Sequence, residues 1–368
     1  MAERNPTRLP ALDLLRFTAA IAVTLYHYVS CYPKGVDAAI PVVSAISAVT
    51  RYGYLGVDLF FMISGFVIVW SSWNRSALDF TVSRITRLYP SFWASLVFTA
   101  VCIWLIAPAV PHVSVPALTP RTLAANATMI PAVLNAPLIE GVYWTLEIEI
   151  RFYALIFVLL LLRSLHRIEP LLYAWLALTI ASLFIELPWI LYYTGLVPYG
   201  AFFASGCLFF LVKSRGWSIA RSIGLGVGLV TSMAVSINQR GQFLTADTTS
   251  AVVVPALVAV FFGLFVLMIR RSTPGTARLS YWLGALTYPL YLTHAMMGFL
   301  IYEWLQPTIG TVASIATITL LAFIVAIVLT VAVDIPARKP FATLLYRIAD
   351  ALRIRTGSKE TASPSNPQ

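Results

Sequence analysis

The chain has 368 residues, 59% of them hydrophobic and only 11% charged, with a formal net charge of +10. A soluble domain carries roughly 25% charged residues, so this composition excludes a water-soluble enzyme. The basic excess sits in short loops between apolar runs, which is the positive-inside pattern rather than a face for nucleic acid.

Ten apolar runs, each long enough for a hydrocarbon core of about 30 Å, predict ten helical spans and an all-α polytopic membrane protein. In chain order they cover 11–31, 53–72, 91–109, 142–162, 170–187, 194–212, 219–237, 251–269, 281–303 and 312–333. The first ends at Cys31 without a small-residue cleavage site, so it reads as a retained helix rather than a signal peptide. Helices are required because isolated strands cannot satisfy their backbone groups in lipid. Segment 111–140 holds Pro111, Pro116, Pro120, Pro131 and Pro137 and is predicted to be an external loop. Its Asn126-Ala127-Thr128 is a glycosylation sequon that matters only in a eukaryotic secretory setting. Cys31, Cys102 and Cys207 fit neither a metal spacing nor a disulfide framework.

Twenty of the 25 lysines and arginines fall in one set of loops and the C-terminal tail. The opposite side holds only Lys34, Arg51, Arg121 and Arg240. Both termini are therefore expected in the cytoplasm. Residues 1–345 are expected to form the membrane domain and 346–368 a disordered cytoplasmic tail, rich in Ser and Pro towards its end.

Ionisable residues within spans are expensive and mark function. Here they are Asp13, Arg16, His27, Asp58, Glu147, Glu149, Arg151, His294 and Glu303. The alternating direction of the spans puts His27, Asp58, Glu149 and His294 in the outer half of the bundle. Arg16 and His27 are eleven residues apart, near three full turns, so they share a helix face about 16 Å apart along the axis. A guanidinium at the cytoplasmic mouth and an imidazole deeper in describe the two ends of a long phosphorylated ligand such as acyl-coenzyme A. Imidazole is the usual base for activating a hydroxyl. The bland alternative is an interfacial histidine with a snorkelling arginine.

Arg84 and Arg87 lie before Tyr89-Pro90, at the predicted cytoplasmic start of the third span. As an i,i+3 pair they form a phosphate-suited fork or simply supply topogenic charge. Glu147 and Arg151, at i,i+4, are placed to neutralise each other. Glu149 points some 200° away from Glu147 and is the freer carboxylate. Asp58 suits a structural hydrogen bond as well as catalysis.

Five segments in order resemble the membrane-bound acyltransferase family 3. These are Leu12-Asp13-Leu14-Leu15-Arg16 with His27, and Gly56-Val57-Asp58-Leu59-Phe60-Phe61-Met62-Ile63-Ser64-Gly65-Phe66. They continue with Arg84-Ile85-Thr86-Arg87-Leu88-Tyr89-Pro90, then Trp144-Thr145-Leu146 with Glu149, Phe152 and Tyr153. The last is Leu283-Gly284 through Tyr288, Tyr291, Leu292 and His294. Leu14 and Phe17 stand where the family has glycine, and Thr145 where it has serine.

The resemblance implies an integral-membrane O-acyltransferase of the bacterial plasma membrane, with no permanently bound cofactor or metal. It would move an acyl group, acetyl above all, from cytoplasmic acyl-CoA to a hydroxyl of an extracytoplasmic glycan or glycolipid. By the same resemblance His27 is the general base, and Glu149 and Asp58 are further catalytic candidates. Arg16, Arg84 and Arg87 would hold the donor, and Trp144, Tyr153 and His294 are substrate-binding candidates. Two alternatives from other classes are a lipid-linked glycan flippase or transporter, and a structural partner of a glycan synthase. Label transfer from acetyl-CoA distinguishes the enzyme from both.

Overall fold

The computed structural model describes residues 9–32, 40–194, 196–244, 247–270 and 277–352, and every regular element among them is helical. Fourteen α-helices follow in order. The first seven are α1 Pro10–Leu25, α2 Pro41–Thr50, α3 Gly56–Ser72, α4 Ala77–Ile106, α5 Pro120–Ala127, α6 Trp144–Leu161 and α7 Ile168–Ala181. The rest are α8 Trp189–Thr194, α9 Gly200–Arg215, α10 Ile219–Gln239, α11 Thr248–Arg270, α12 Ala277–Ile309, α13 Thr311–Leu329 and α14 Ile335–Ala351. Arg4, Arg8, Lys34, Arg271 and the tail from residue 353 lie outside the described residues.

Each of the ten predicted runs contains a helix, although the one at 170–187 ends at Ala181. Seven helical stretches among the described residues are long and apolar enough to cross a membrane. Of the other three runs, α7 has 14 residues, α6 carries Glu147, Glu149 and Arg151, and α12 interleaves apolar residues with Tyr, Thr and His. The protein is an all-α polytopic membrane protein, and two of the three less apolar helices carry site residues.

Three boundaries differ from the sequence reading. Helix α2, within an expected loop, starts with Pro41 at its first position, where a missing N–H costs nothing. Helix α4 begins at Ala77 rather than near residue 91, because the Ser76 hydroxyl caps it by accepting from Asp79 N at 3.1 Å. Its 30 residues reach about 45 Å, and Arg84 and Arg87 therefore lie inside the helix. The expected tail boundary at 345 falls within α14, which runs on to Ala351 and returns along α4. There the Tyr346 hydroxyl donates to Asp79 at 2.9 Å.

Lipid tails are as apolar as leucine, so close packing must hold the helices together. Helices α3 and α9 approach through reciprocal glycines. A Cβ on Gly65 would lie 2.2 Å from the Phe203 carbonyl oxygen, and one on Gly206 would lie 2.1 Å from that of Met62. Around this contact Phe61, Phe66, Phe203 and Phe209 form the aromatic centre of the core. Helix α1 packs between α3 and α12, and α12 also packs on α4 and α13.

The expected external segment folds over the bundle. Val110, Val113, Met129 and Ile139 are buried in the core. Asn126 of the sequon is fully buried and structural. Its amide donates to the Thr122 and Pro137 carbonyls at 2.9 and 2.8 Å, and its oxygen accepts from Ile139 N at 3.0 Å.

Candidate active site

Five helices surround a cavity of about 100 Å3. Helix α1 contributes Arg16, α3 contributes Ser64, and α4 contributes Arg84 and Arg87. Helix α6 adds Thr145, Glu149 and Tyr153, and α12 adds Gly284, Tyr288 and Tyr291. The lining thus holds three guanidiniums and one carboxylate. Such a surplus of positive charge in a water-poor bundle is costly unless an anion completes it. Arg84 carries a second mark of an anion site: its Nε is buried without a hydrogen-bond partner among the described residues. The same guanidinium lies 5.9 Å over the Phe80 ring and 6.0 Å over Tyr153, which fixes its plane.

Glu149 is held towards this cavity. Its Oε1 accepts from the hydroxyls of Ser64 at 3.0 Å and Tyr153 at 2.5 Å. Glu147, on the opposite side of α6, pairs with Arg151 as the spacing predicted. Gly284 leaves room for Asp13 of α1, because a Cβ there would come within 2.5 Å of the Asp13 Oδ1.

His27 is the second residue of a π-helical turn, Tyr26–Cys31, that continues α1; such turns concentrate at functional sites. Its Nδ1 lies 2.9 Å from the Val23 carbonyl oxygen and 3.1 Å from Nε2 of His294. His27 is half-buried, whereas His294 is fully buried. The Tyr291 ring stands 5.6 Å from that of His294, and its hydroxyl lies 2.9 Å from Thr145 Oγ1. Because Tyr291 and Thr145 also line the cavity, they join the arginine chamber to the histidine pair.

The structure therefore sorts the predicted site residues into three groups. Arg16, Arg84, Arg87, Glu149 and Tyr153 share the cavity. His27 and His294 pair beside it. Asp58 sits apart, accepting from Ser236 Oγ at 3.2 Å in a smaller recess with Trp144, Tyr54, Tyr199 and Gln239. Glu149 touches neither His27 nor Asp58. Glu303, at the far end of α12, pairs with His112 at 3.1 Å.

Two buried acids escaped the sequence reading. The Glu140 oxygens accept the Met296 N–H at 3.1 and 3.0 Å, tying the segment before α6 to the α12 turn that carries His294. Tyr28 and Tyr32 donate to the carbonyls of His294 and Ala295 at 2.9 and 2.5 Å, pinning the same turn from the π segment. Asp334 accepts from Ser91 at 2.8 Å and pairs with Arg338. The only sequence signal for it was the i,i+4 spacing to Arg338, and Glu140 gave none beyond its place before Gly141.

An all-helical membrane bundle that encloses an arginine-lined chamber beside a pair of imidazoles defines the class. The acyltransferase domain family model matches residues 9–334, and the chain belongs to this acyltransferase family. Acyltransferase MdmB of Streptomyces mycarofaciens is 32% identical over 153 residues, which are 40% of this chain and 38% of that protein. The aligned part thus spans well under half the length of that relative. No solved structure matches.

Proposed function

We propose that the protein is a membrane O-acyltransferase that transfers an acyl group, acetyl above all, from cytoplasmic acyl-CoA to a hydroxyl of an extracytoplasmic glycan or glycolipid. The carrying observation is the three-arginine cavity joined through Tyr291 to the His27–His294 pair. Arg16, Arg84 and Arg87 hold the donor phosphates, and the pantetheine arm runs towards His27. The His27 imidazole takes the acceptor's hydroxyl proton as the oxygen bonds to the acyl carbon. The carbon–sulfur bond then breaks, and the proton passes from His27 to the departing thiolate. Glu149, held by Ser64 and Tyr153, limits the positive surplus of the chamber and orients the nearest guanidinium. Trp144 with Asp58 supplies a polar, aromatic recess for the acceptor. Family membership and the Streptomyces relative support a bacterial plasma-membrane setting.

The test is to incubate purified protein in nanodiscs with radiolabelled acetyl-, propionyl- or succinyl-CoA and extracted envelope glycans and lipids. Label appearing in an alkali-labile ester on either acceptor fraction supports the proposal. Movement of a glycolipid across proteoliposomes, with no ester formed from any donor, would replace it with a flippase.

A further inference from the structure

The donor and acceptor logic around the two histidines fixes where their protons sit. Nδ1 of His294 faces two carbonyl oxygens of its own helix, Tyr291 at 2.9 Å and Leu290 at 3.2 Å. Carbonyls only accept, so Nδ1 of His294 carries the hydrogen, and the neutral ring has its lone pair on Nε2. That lone pair meets Nδ1 of His27 at 3.1 Å, and Nδ1 of His27 also meets the Val23 carbonyl oxygen at 2.9 Å. With two acceptors before it, Nδ1 of His27 must be the donor. The remaining nitrogen of His27, Nε2, then holds the free lone pair and has no protein partner among the described residues.

We propose that His294 is a positioning residue. It contacts no substrate and instead accepts from Nδ1–H of His27, locking that ring in the tautomer and orientation that make Nε2 the working base. This rests on the reading of His27 as the base. Two observations support it beyond the contact itself. His294 has no exposed surface, so it cannot meet a substrate, whereas His27 is only partly buried. The turn bearing His294 is also fixed on three sides: Tyr28 and Tyr32 take its carbonyls and Glu140 takes the Met296 N–H. When Nε2 of His27 takes the hydroxyl proton, the resulting imidazolium strengthens its Nδ1–H bonds to Val23 and His294. The first of these comes from its own helix and the second from α12. The base is thereby set by a contact between residues 267 positions apart in the chain.

Two measurements on the full-length protein in nanodiscs test this. The first uses the protein alone, with 15N-labelled histidine, and assigns His27 by its loss in His27→Ala. A through-hydrogen-bond coupling between nitrogens of the two rings is expected, with the hydrogen on Nδ1 of His27. A spectrum that places the hydrogen on Nε2 of His27, or lacks any coupling between the rings, overturns the proposal.

The second uses transfer from radiolabelled acetyl-CoA to envelope glycan. His294→Phe keeps the ring shape without an acceptor and should lower kcat about 10–100-fold, the usual effect of losing a ring-orienting partner. The KM for acetyl-CoA should stay unchanged. His294→Gln, which brings an amide oxygen near the Nε2 position, should recover most of the loss. Full turnover by His294→Phe, or an equal loss in both variants, counts against it. If His27→Ala retains full activity, the reading of His27 as the base falls, while the ring coupling still reports separately on the pair.

Discussion

The hydroxyl of Tyr153 donates to the carboxylate of Glu149, one turn away on the same helix, at 2.5 Å. Ser64 adds a second bond from α3. Together they hold the carboxylate among three arginines without letting it swing into the space a phosphate would occupy. Tyr153→Phe frees Glu149 to compete for the guanidiniums. Binding of coenzyme A, measured by calorimetry, should weaken by several-fold. Unchanged affinity would show that the carboxylate does not govern donor binding.

Arg84 has a buried Nε with no hydrogen-bond partner among the described residues, and Arg16 and Arg87 share its cavity. A charge-assisted hydrogen bond is worth on the order of 1.5–3 kcal/mol, or about 10–100-fold in affinity. Arg84→Ala and Arg16→Ala should each weaken coenzyme A binding by that amount and leave acceptor KM near its starting value. If calorimetry finds both variants binding normally, the arginines serve topology alone.

For His27 the expectation is catalytic. A positioned base contributes about 10²–10⁴-fold, so His27→Ala should lose most glycan acylation. Its insertion should be retained, because the change also removes a polar group from the membrane. Donor binding should persist, since the phosphates are proposed to sit on the arginines rather than on His27. Near-normal acylation by a well-expressed His27→Ala protein would rule out His27 as the base.

Gly65 and Gly206 let α3 and α9 touch backbone to backbone. Any larger side chain there meets a carbonyl that cannot move aside. Overpacking a tight core typically costs about 1–3 kcal/mol, and a clash with backbone lies at the upper end. Gly206→Leu should lower the yield of folded protein and its Tm in detergent. Gly226→Ala, where a Cβ meets open space, is the control; equal yields and Tm for the two would exclude the close contact.

By the positive-inside rule, the distribution of lysine and arginine predicts that both termini are cytoplasmic. A phosphatase reporter fused after Gln368 should be inactive and a cytoplasmic reporter at the same point active. The reverse pattern would invert the bundle and put the arginine cavity out of reach of cytoplasmic acyl-CoA.

Periodicity and charge fixed much of this protein in advance. Each apolar run had to form helix, because lipid offers its backbone no other partner, and each of the ten contains one. The Glu147–Arg151 pair followed from i,i+4 spacing, and Arg16 stood out because charge in an apolar run is costly. The position of Arg84 and Arg87 did not follow from the apolar run near residue 91. The polar turns capped by Ser76 carry no lipid signature, yet they lengthen α4 and bring both side chains into the chamber.

Only the tertiary structure decided which polar residues found one another. The reading by depth grouped His27, Asp58, Glu149 and His294, whereas packing separates them into a histidine pair, a carboxylate held by Ser64 and Tyr153, and an acid beside Ser236. A helix pattern shows that a polar side chain must avoid lipid, but not which neighbouring helix answers it. That choice was made by a π turn that redirects His27, by glycines that set how closely the helices approach, and by Glu140, brought in from the segment before α6 to α12. Each is a contact between distant parts of the chain, and no local period encodes it.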